Sequence, residues 1–252
     1  MHYTLIKRWF TEMSALRNQY HYLPENIYNM DETGYNIGTT LSSQVMTVAE
    51  GDKSVKAKVV KAQKGRQEWV TAIKCVSAVG QALPPIIIFK GKAEFNLRMR
   101  PQDRDIEGWQ WTTSLKGWSS NALACYWRKS QFEPMTAPAD TSQRQLLILD
   151  GHGSHVKADF IGFCIEHSID VMVLPPHSSH WTQPLDTGVF SPLKRHLMKF
   201  SDIATRYNAT SIDKEKWAAD VVTARELAMT KEHIATGWRK SGLHPFNPNV
   251  VY

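Results

Sequence analysis

Three aspartates stand where carboxylates can do chemistry. Asp31 follows the apolar run NIYNM, Asp150 closes LLILD, and Asp186, with 35 residues between it and Asp150, sits where a helix begins. Carboxylates at the ends of hydrophobic strands are poorly solvated and repel one another. A fold that gathers them there usually does so to hold a hard cation such as Mg2+. Spacing alone is weak evidence among 24 acidic residues, and each aspartate also suits a helix cap or a surface ion pair. Glu32, beside Asp31, would point to the opposite face of a continuing strand and reads as structural.

Four histidines form a second set, His152 with His155 and His177 with His180, two HxxH pairs. Imidazole suits zinc better than Mg2+. Both pairs, however, lie in Gly-, Ser- and Pro-rich turns without helical i, i+4 spacing or partner cysteines. They are read as residues that shape the loops of an active site or approach a phosphate. The third set is basic. Residues 53–100 hold eleven Lys and Arg against two acids, in a chain whose net charge is +6. Lys53, Lys56, Lys58, Lys61, Lys64 and Arg66 head that run and suit a polyanion, or equally a solvated surface. Lys194 and Arg195 suit backbone phosphates or plain solvent. Trp109, Trp111 and Trp118 fit either packing of a subdomain, the better default, or stacking on unpaired bases.

The elements that must position these groups follow from periodicity. Leu5, Trp9, Met13, Leu16 and Tyr20 share one helical face, ended by Pro24. A short strand then delivers Asp31 to a turn. Residues 35–66 read as a long basic connection with a strand or two. WVTAIKCVSAV and PIIIFKG predict a hairpin whose turn contains Gly80. An aromatic-rich loop over 101–118 leads to a helix at 119–132, and EPMTAPADTSQ reads as a linker. The strand 146–150, a helix at 158–167 and a strand at 170–176 predict a parallel crossover, with Asp150 at the strand's carboxyl end, where functional groups collect. A helix begins near Asp186 with Pro192 disturbing its first turns, and helices at 213–230 and 231–241 follow.

The chain of 252 residues allows one large domain or two small ones, with 42% hydrophobic residues and 21% charged, which excludes disorder as its main state. Its longest apolar stretch, ALPPIIIF, is too short to cross a bilayer. No signal segment opens it, so a cytosolic or nuclear home is expected. Cys75, Cys125 and Cys164 form no CxxC pair and read as small buried hydrophobes.

The strings YNMDETG, LLILDGHGSH and LPPHSSHWTQPLDTGVFSPLK resemble the signature blocks of the DDE superfamily endonuclease domain. That domain occurs in pogo-like transposases and in their centromere-protein-B and jerky-like relatives, all related to mariner. The likeness runs from RWFTEM to TGWRKSGLHPFNP. It implies an α/β, ribonuclease-H-like fold with a mixed central sheet and helices on both faces. It implies residues 1–23 as a leading helix, 24–200 as the catalytic domain and 201–252 as a C-terminal helical extension. Asp31, Asp150 and Asp186 would be the catalytic, metal-holding residues, with two Mg2+ ions, or Mn2+ as substitute, and no small-molecule cofactor. The expected activity is metal-dependent DNA hydrolysis and strand transfer, in the nucleus, by a homodimer that pairs two DNA ends. Relatives carry helix-turn-helix modules ahead of this domain. Too few residues precede Asp31 for two of them, so sequence-specific recognition is not expected of this chain alone. Two other readings stay open: a domesticated nucleic-acid-binding protein without efficient turnover, and an unrelated metal hydrolase using the histidines.

Overall fold

The computed structural model describes residues 2–37, 68–92, 100–101, 106–151, 157–206 and 214–251. Six strands form one sheet: β1 (Ile27–Ile37), β2 (Glu68–Ser77), β3 (Ile86–Lys90), β4 (Gln110–Ser114), β5 (Gln145–Leu149) and β6 (Ile169–Val173), in the order β4-β3-β2-β1-β5-β6. β2 runs antiparallel to both β1 and β3, while the pairs β1/β5, β5/β6 and β3/β4 are parallel. The sheet is therefore mixed, as expected. The hairpin of β2 and β3 forms with Gly80 in its turn, at φ +91°, and β5, helix α4 (Ala158–Glu166) and β6 make the parallel crossover.

Alternation divides the sheet into two buried faces. Tyr28, Met30, Ile73, Cys75, Leu147 and Leu149 pack against α4 and against α2 (Asn121–Trp127), which passes through a π-helical turn, Arg128–Phe132, into α3 (Glu133–Thr136). The opposite face, including Ile27, Tyr35, Val70, Ala72, Val76 and Ile148, is covered by α1 (His2–Tyr20), α6 (Ser191–Arg206), α7 (Lys214–Ala228) and α8 (Lys231–Lys240). The short helix α5 (Ser179–Thr182) precedes a second π-helical turn, Leu185–Phe190, that leads into α6.

Several expectations change in detail. The face that α1 buries is Ile6, Trp9, Phe10 and Met13, while Leu5 and Tyr20 are exposed. Trp9 anchors it through an Nε1 bond to the Val173 carbonyl at 2.6 Å. The helix stops before Pro24, because His21 takes the left-handed conformation at φ +50° and its N–H bonds the Arg17 carbonyl. The strand carrying Asp31 does not end in a turn: β1 runs six residues beyond it, paired throughout with β2. The expected loop over 101–118 contains β4, and the expected linker begins with α3. Pro192 does disturb its helix. Its missing N–H and its ring work against the carbonyl four residues back, and the chain there is wound as the wider π turn. Residues 38–66, read as a basic connection, lie outside the described residues.

Lys74 departs most from its sequence reading. It belongs to the basic run yet is 1% exposed on β2, and its Nζ has no hydrogen-bond partner. Burial, with Arg225 nearby, pushes its ammonium down to about 7. The folded protein therefore binds fewer protons than the unfolded chain from about pH 7 up to the ordinary lysine value of 10.5. The contribution of Lys74 to stability should therefore grow across that window. Lys74→Met should raise stability by on the order of 3 kcal/mol below pH 7. Thermal melts should show that gain fading as pH approaches 10.

Candidate active site

The site begins where two parallel strands stop pairing. β1 and β5 are in register from Ile27 opposite Leu146 to Asn29 opposite Ile148. Carried two residues further, that register brings Asp31 abreast of Asp150, which follows the last residue of β5. Asp31 is 8% exposed and Asp150 half-buried. Across β2 the residue opposite Asp31 is Lys74, whose ammonium makes no bond to it. The Asp31 carboxylate is held instead by neutral donors, the Glu32 N–H at 2.7 Å and the Gln183 side chain. Burial, reinforced by the charges of Asp186 and Asp150, pushes its carboxyl up to about 8.

Asp186 arrives on the π-helical turn Leu185–Phe190. It is open to solvent, yet protein around its carboxyl and the charge of Asp150 raise it above the usual range, opposed by Lys194, His180 and a bond to Ser179. The structure thus brings Asp31, Asp150 and Asp186 within electrostatic reach of one another. Lys194, exposed on α6, and His180, exposed on α5, belong to the same neighbourhood. Arg195 is exposed beside Lys194, and His177 is exposed at φ +60°. Lys53, Lys56, Lys58, Lys61, Lys64, Arg66, His152 and His155 lie outside the described residues.

Two functional residues escaped the sequence reading. Asn29 and Gln183 are both fully buried. The Asn29 amide donates to the Ile148 carbonyl and to the Gln183 Oε1, each at 3.0 Å, and its Oδ1 accepts the Leu185 N–H at 3.1 Å. Gln183 in turn donates to the Met30 carbonyl at 3.3 Å. One pair of amides therefore ties β1, β5 and the turn carrying Asp186. The signal was present in IYNMD, since an amide two residues before the acid shares its face of the strand.

The donor set suits a hard divalent ion. The carboxylates are oxygen donors, and among the described residues no Lys or Arg neutralises Asp31. Among the described residues no three His, Cys, Asp or Glu side chains close on a single point as a cage. Mg2+ does not require one, because it is commonly held by one or two carboxylates together with substrate phosphates and water. The tryptophans divide. Trp109 and Trp111 stack on each other, and Trp111 on Phe89, as packing, whereas Trp118 is 59% exposed.

Comparison with known proteins identifies the family and the fold. The sequence model of the DDE superfamily endonuclease matches residues 66–238. Over 244 residues, 96% of the chain, the sequence is 32% identical to 26% of a Cochliobolus lunatus protein named MFS-type transporter clz9. Among the described residues no helix is long and apolar enough to cross a membrane. Over 180 residues, 71% of the chain, it is 28% identical to 27% of the human pogo transposable element with KRAB domain. The chain thus spans about a quarter of these relatives. In structure it is similar to the Mos1 mariner paired end complex with Mn, at TM-score 0.51 and 8% identity over 96% of this chain and 62% of that one. It is also similar to the Mos1 complex with Mg, at TM-score 0.50 and 11% identity over 97% and 63%. The chain belongs to the DDE superfamily endonuclease family, and its mixed sheet has the ribonuclease-H-like fold of a transposase catalytic domain.

Proposed function

We propose that this chain is the catalytic domain of a pogo-like DNA transposase, which cuts phosphodiester bonds and joins the freed 3′-hydroxyl to target DNA. The observation that carries the reading is the placement of buried Asp31 abreast of Asp150 and within electrostatic reach of Asp186, with only neutral donors bonded to it among the described residues. Gathering like charges out of water destabilises the fold unless a cation offsets them. Asp31, Asp150 and Asp186 would hold two divalent ions, Mg2+ or Mn2+. When bound, such ions activate a water or 3′-hydroxyl and stabilise the leaving oxygen.

The protein's own residues supply position and charge. Asn29 and Gln183 fix β1 against the turn, which keeps Asp31 and Asp186 within electrostatic reach of each other. Lys194, close to Asp186, offsets negative charge and attracts the DNA backbone. The rest of the reading follows the same line: residues 24–200 as the catalytic unit, 201–252 as a helical extension, action in the nucleus, and a homodimer that pairs two DNA ends.

A plasmid-nicking assay with Mg2+ or Mn2+ tests the chemistry. Wild type should cut, and Asp150→Asn should lose on the order of 10²–10³-fold or more in rate. Cutting unchanged by the substitution would sink the proposal, and DNA binding without cutting in either metal would favour the domesticated binding protein. Metal occupancy has a readout of its own. Millimolar Mg2+ or Mn2+ should raise the melting temperature of wild type, and the rise should vanish in Asp31→Asn, whose metal-free form should already melt higher than wild type. An equal metal-dependent rise in both proteins would place the ions elsewhere.

A further inference from the structure

The turn between β4 and α2 is built with unusual rigidity for something that presents apolar side chains to water. Gly117 has φ +72°, and a Cβ there would fall 2.4 Å from the Trp69 carbonyl oxygen, so only glycine fits. The Ser114 carbonyl accepts the Gly117 N–H at 3.1 Å and the Gly91 N–H at 2.9 Å. Thr71 Oγ1 donates to the Gly117 carbonyl at 2.7 Å while accepting the Trp69 indole N–H at 3.2 Å, and Ser114 Oγ donates to the Trp118 carbonyl at 2.8 Å. Immediately beyond, Ser119 donates to Glu32 and Ser120 caps α2. β2, β3 and β4 thus clamp the turn, and the Glu32 contact ties it to the strand that carries Asp31.

This clamped turn projects Leu115, 69% exposed, and Trp118, 59% exposed. The Trp118 ring stacks on Trp69, with centroids 5.8 Å apart and planes 25° apart. Trp69 fixes one face of the indole and leaves the ring presented to solvent. Three lysines stand near it. Lys90, Lys92 and Lys116 are exposed and form no ion pair among the described residues, Lys90 lies against Gly117, and nearby Glu68 is already bonded to Lys214. A fixed aromatic ring beside unpaired lysines suits an unpaired nucleobase with its phosphates, because stacking tolerates any base and the ammonium groups follow the backbone.

We propose that Trp118, supported by Trp69 and flanked by Lys90, Lys92 and Lys116, is a binding platform for an unpaired base of single-stranded or forked DNA. This rests on the reading of the substrate as DNA and adds a strand-binding site apart from the three aspartates. It also predicts what the site prefers: a strand whose bases are free to stack over an intact duplex.

Fluorescence anisotropy with labelled single-stranded, forked and duplex oligonucleotides tests it, using full-length wild type, Trp118→Ala, Trp118→Phe, Lys116→Glu and Asp150→Asn. Trp118→Ala should weaken single-stranded and forked binding by about 5- to 100-fold and leave duplex binding within about twofold. Trp118→Phe should recover most of the affinity. Lys116→Glu, a fully surface change, should weaken binding with a shallower salt dependence. Asp150→Asn should bind as wild type does while losing cleavage. Equal single-strand affinity in wild type, Trp118→Ala and Lys116→Glu would overturn the platform and leave the nuclease reading intact, whereas wild type that neither binds nor cuts DNA would overturn both. Loss of self-association in Trp118→Ala by sedimentation, with DNA affinity unchanged, would overturn the platform in favour of a protein interface.

Discussion

The arrangement of the acidic site depends on one buried side chain. Asn29 is the last residue of β1 in register with β5, and its amide continues the work of the ladder by bonding sideways to Ile148, Gln183 and Leu185. Beyond it the two strands part. β1 stays with β2, β5 ends at Leu149, and the space between would otherwise carry unsatisfied backbone groups. The amide fills that need with two donors and an acceptor at once. An apolar residue of similar size would leave the Ile148 carbonyl and the Leu185 N–H without these partners, and would release the turn that brings Asp186.

That constraint explains why carboxylates can be held together at all. Asp31 bonds to the Glu32 N–H and to Gln183, dipoles too weak to neutralise it, and its cross-strand neighbour Lys74 makes no bond to it. A direct ion pair would have stabilised Asp31 as a charge and removed it as a ligand. The fold keeps an ammonium on the same sheet face, loses stability by burying it unpaired, and leaves the carboxylate available. Two buried ionisable groups, one raised to about 8 and one lowered to about 7, record opposite costs of the same dry interior.

Much of this was legible from residues alone where a local pattern carried the information. LLILD gave a strand with an acid at its carboxyl end, and the helix after it kept its period, so β5 and α4 lie within a residue of expectation, while β6 ends three residues earlier than the apolar run predicts. β4 was not legible. QWTTS has neither alternation nor an apolar run, its residues are all half-buried, and it becomes a strand because β3 offers a parallel edge. The buried face of α1 was misread because Ile6 and Phe10 sit one position from Leu5 and Trp9, and only the carbonyl waiting at Val173 settles the rotation. Asn29 and Gln183 looked like single polar residues, since the partners that give them meaning are more than a hundred residues away.

The three acids are not held with equal firmness. Asp31 rides on β1 and Asp150 directly follows the neighbouring β5, whereas Asp186 rides on a π-helical turn whose position is set by α8. A Cβ on Gly188 would fall 2.5 Å from the Gly237 Cα, a Cβ on Gly237 would fall 2.2 Å from the Pro184 carbonyl oxygen, and Thr187 Oγ1 donates to the Gly237 carbonyl at 3.0 Å. Backbone rests directly on backbone there, at a distance that only glycine permits. α8 is itself fixed by Trp238, fully buried in the same core as α1 and β5. The C-terminal helices therefore act on the site as a gauge for its third carboxylate. A change in how α8 packs would shift Asp186 relative to the other two without touching any of the three.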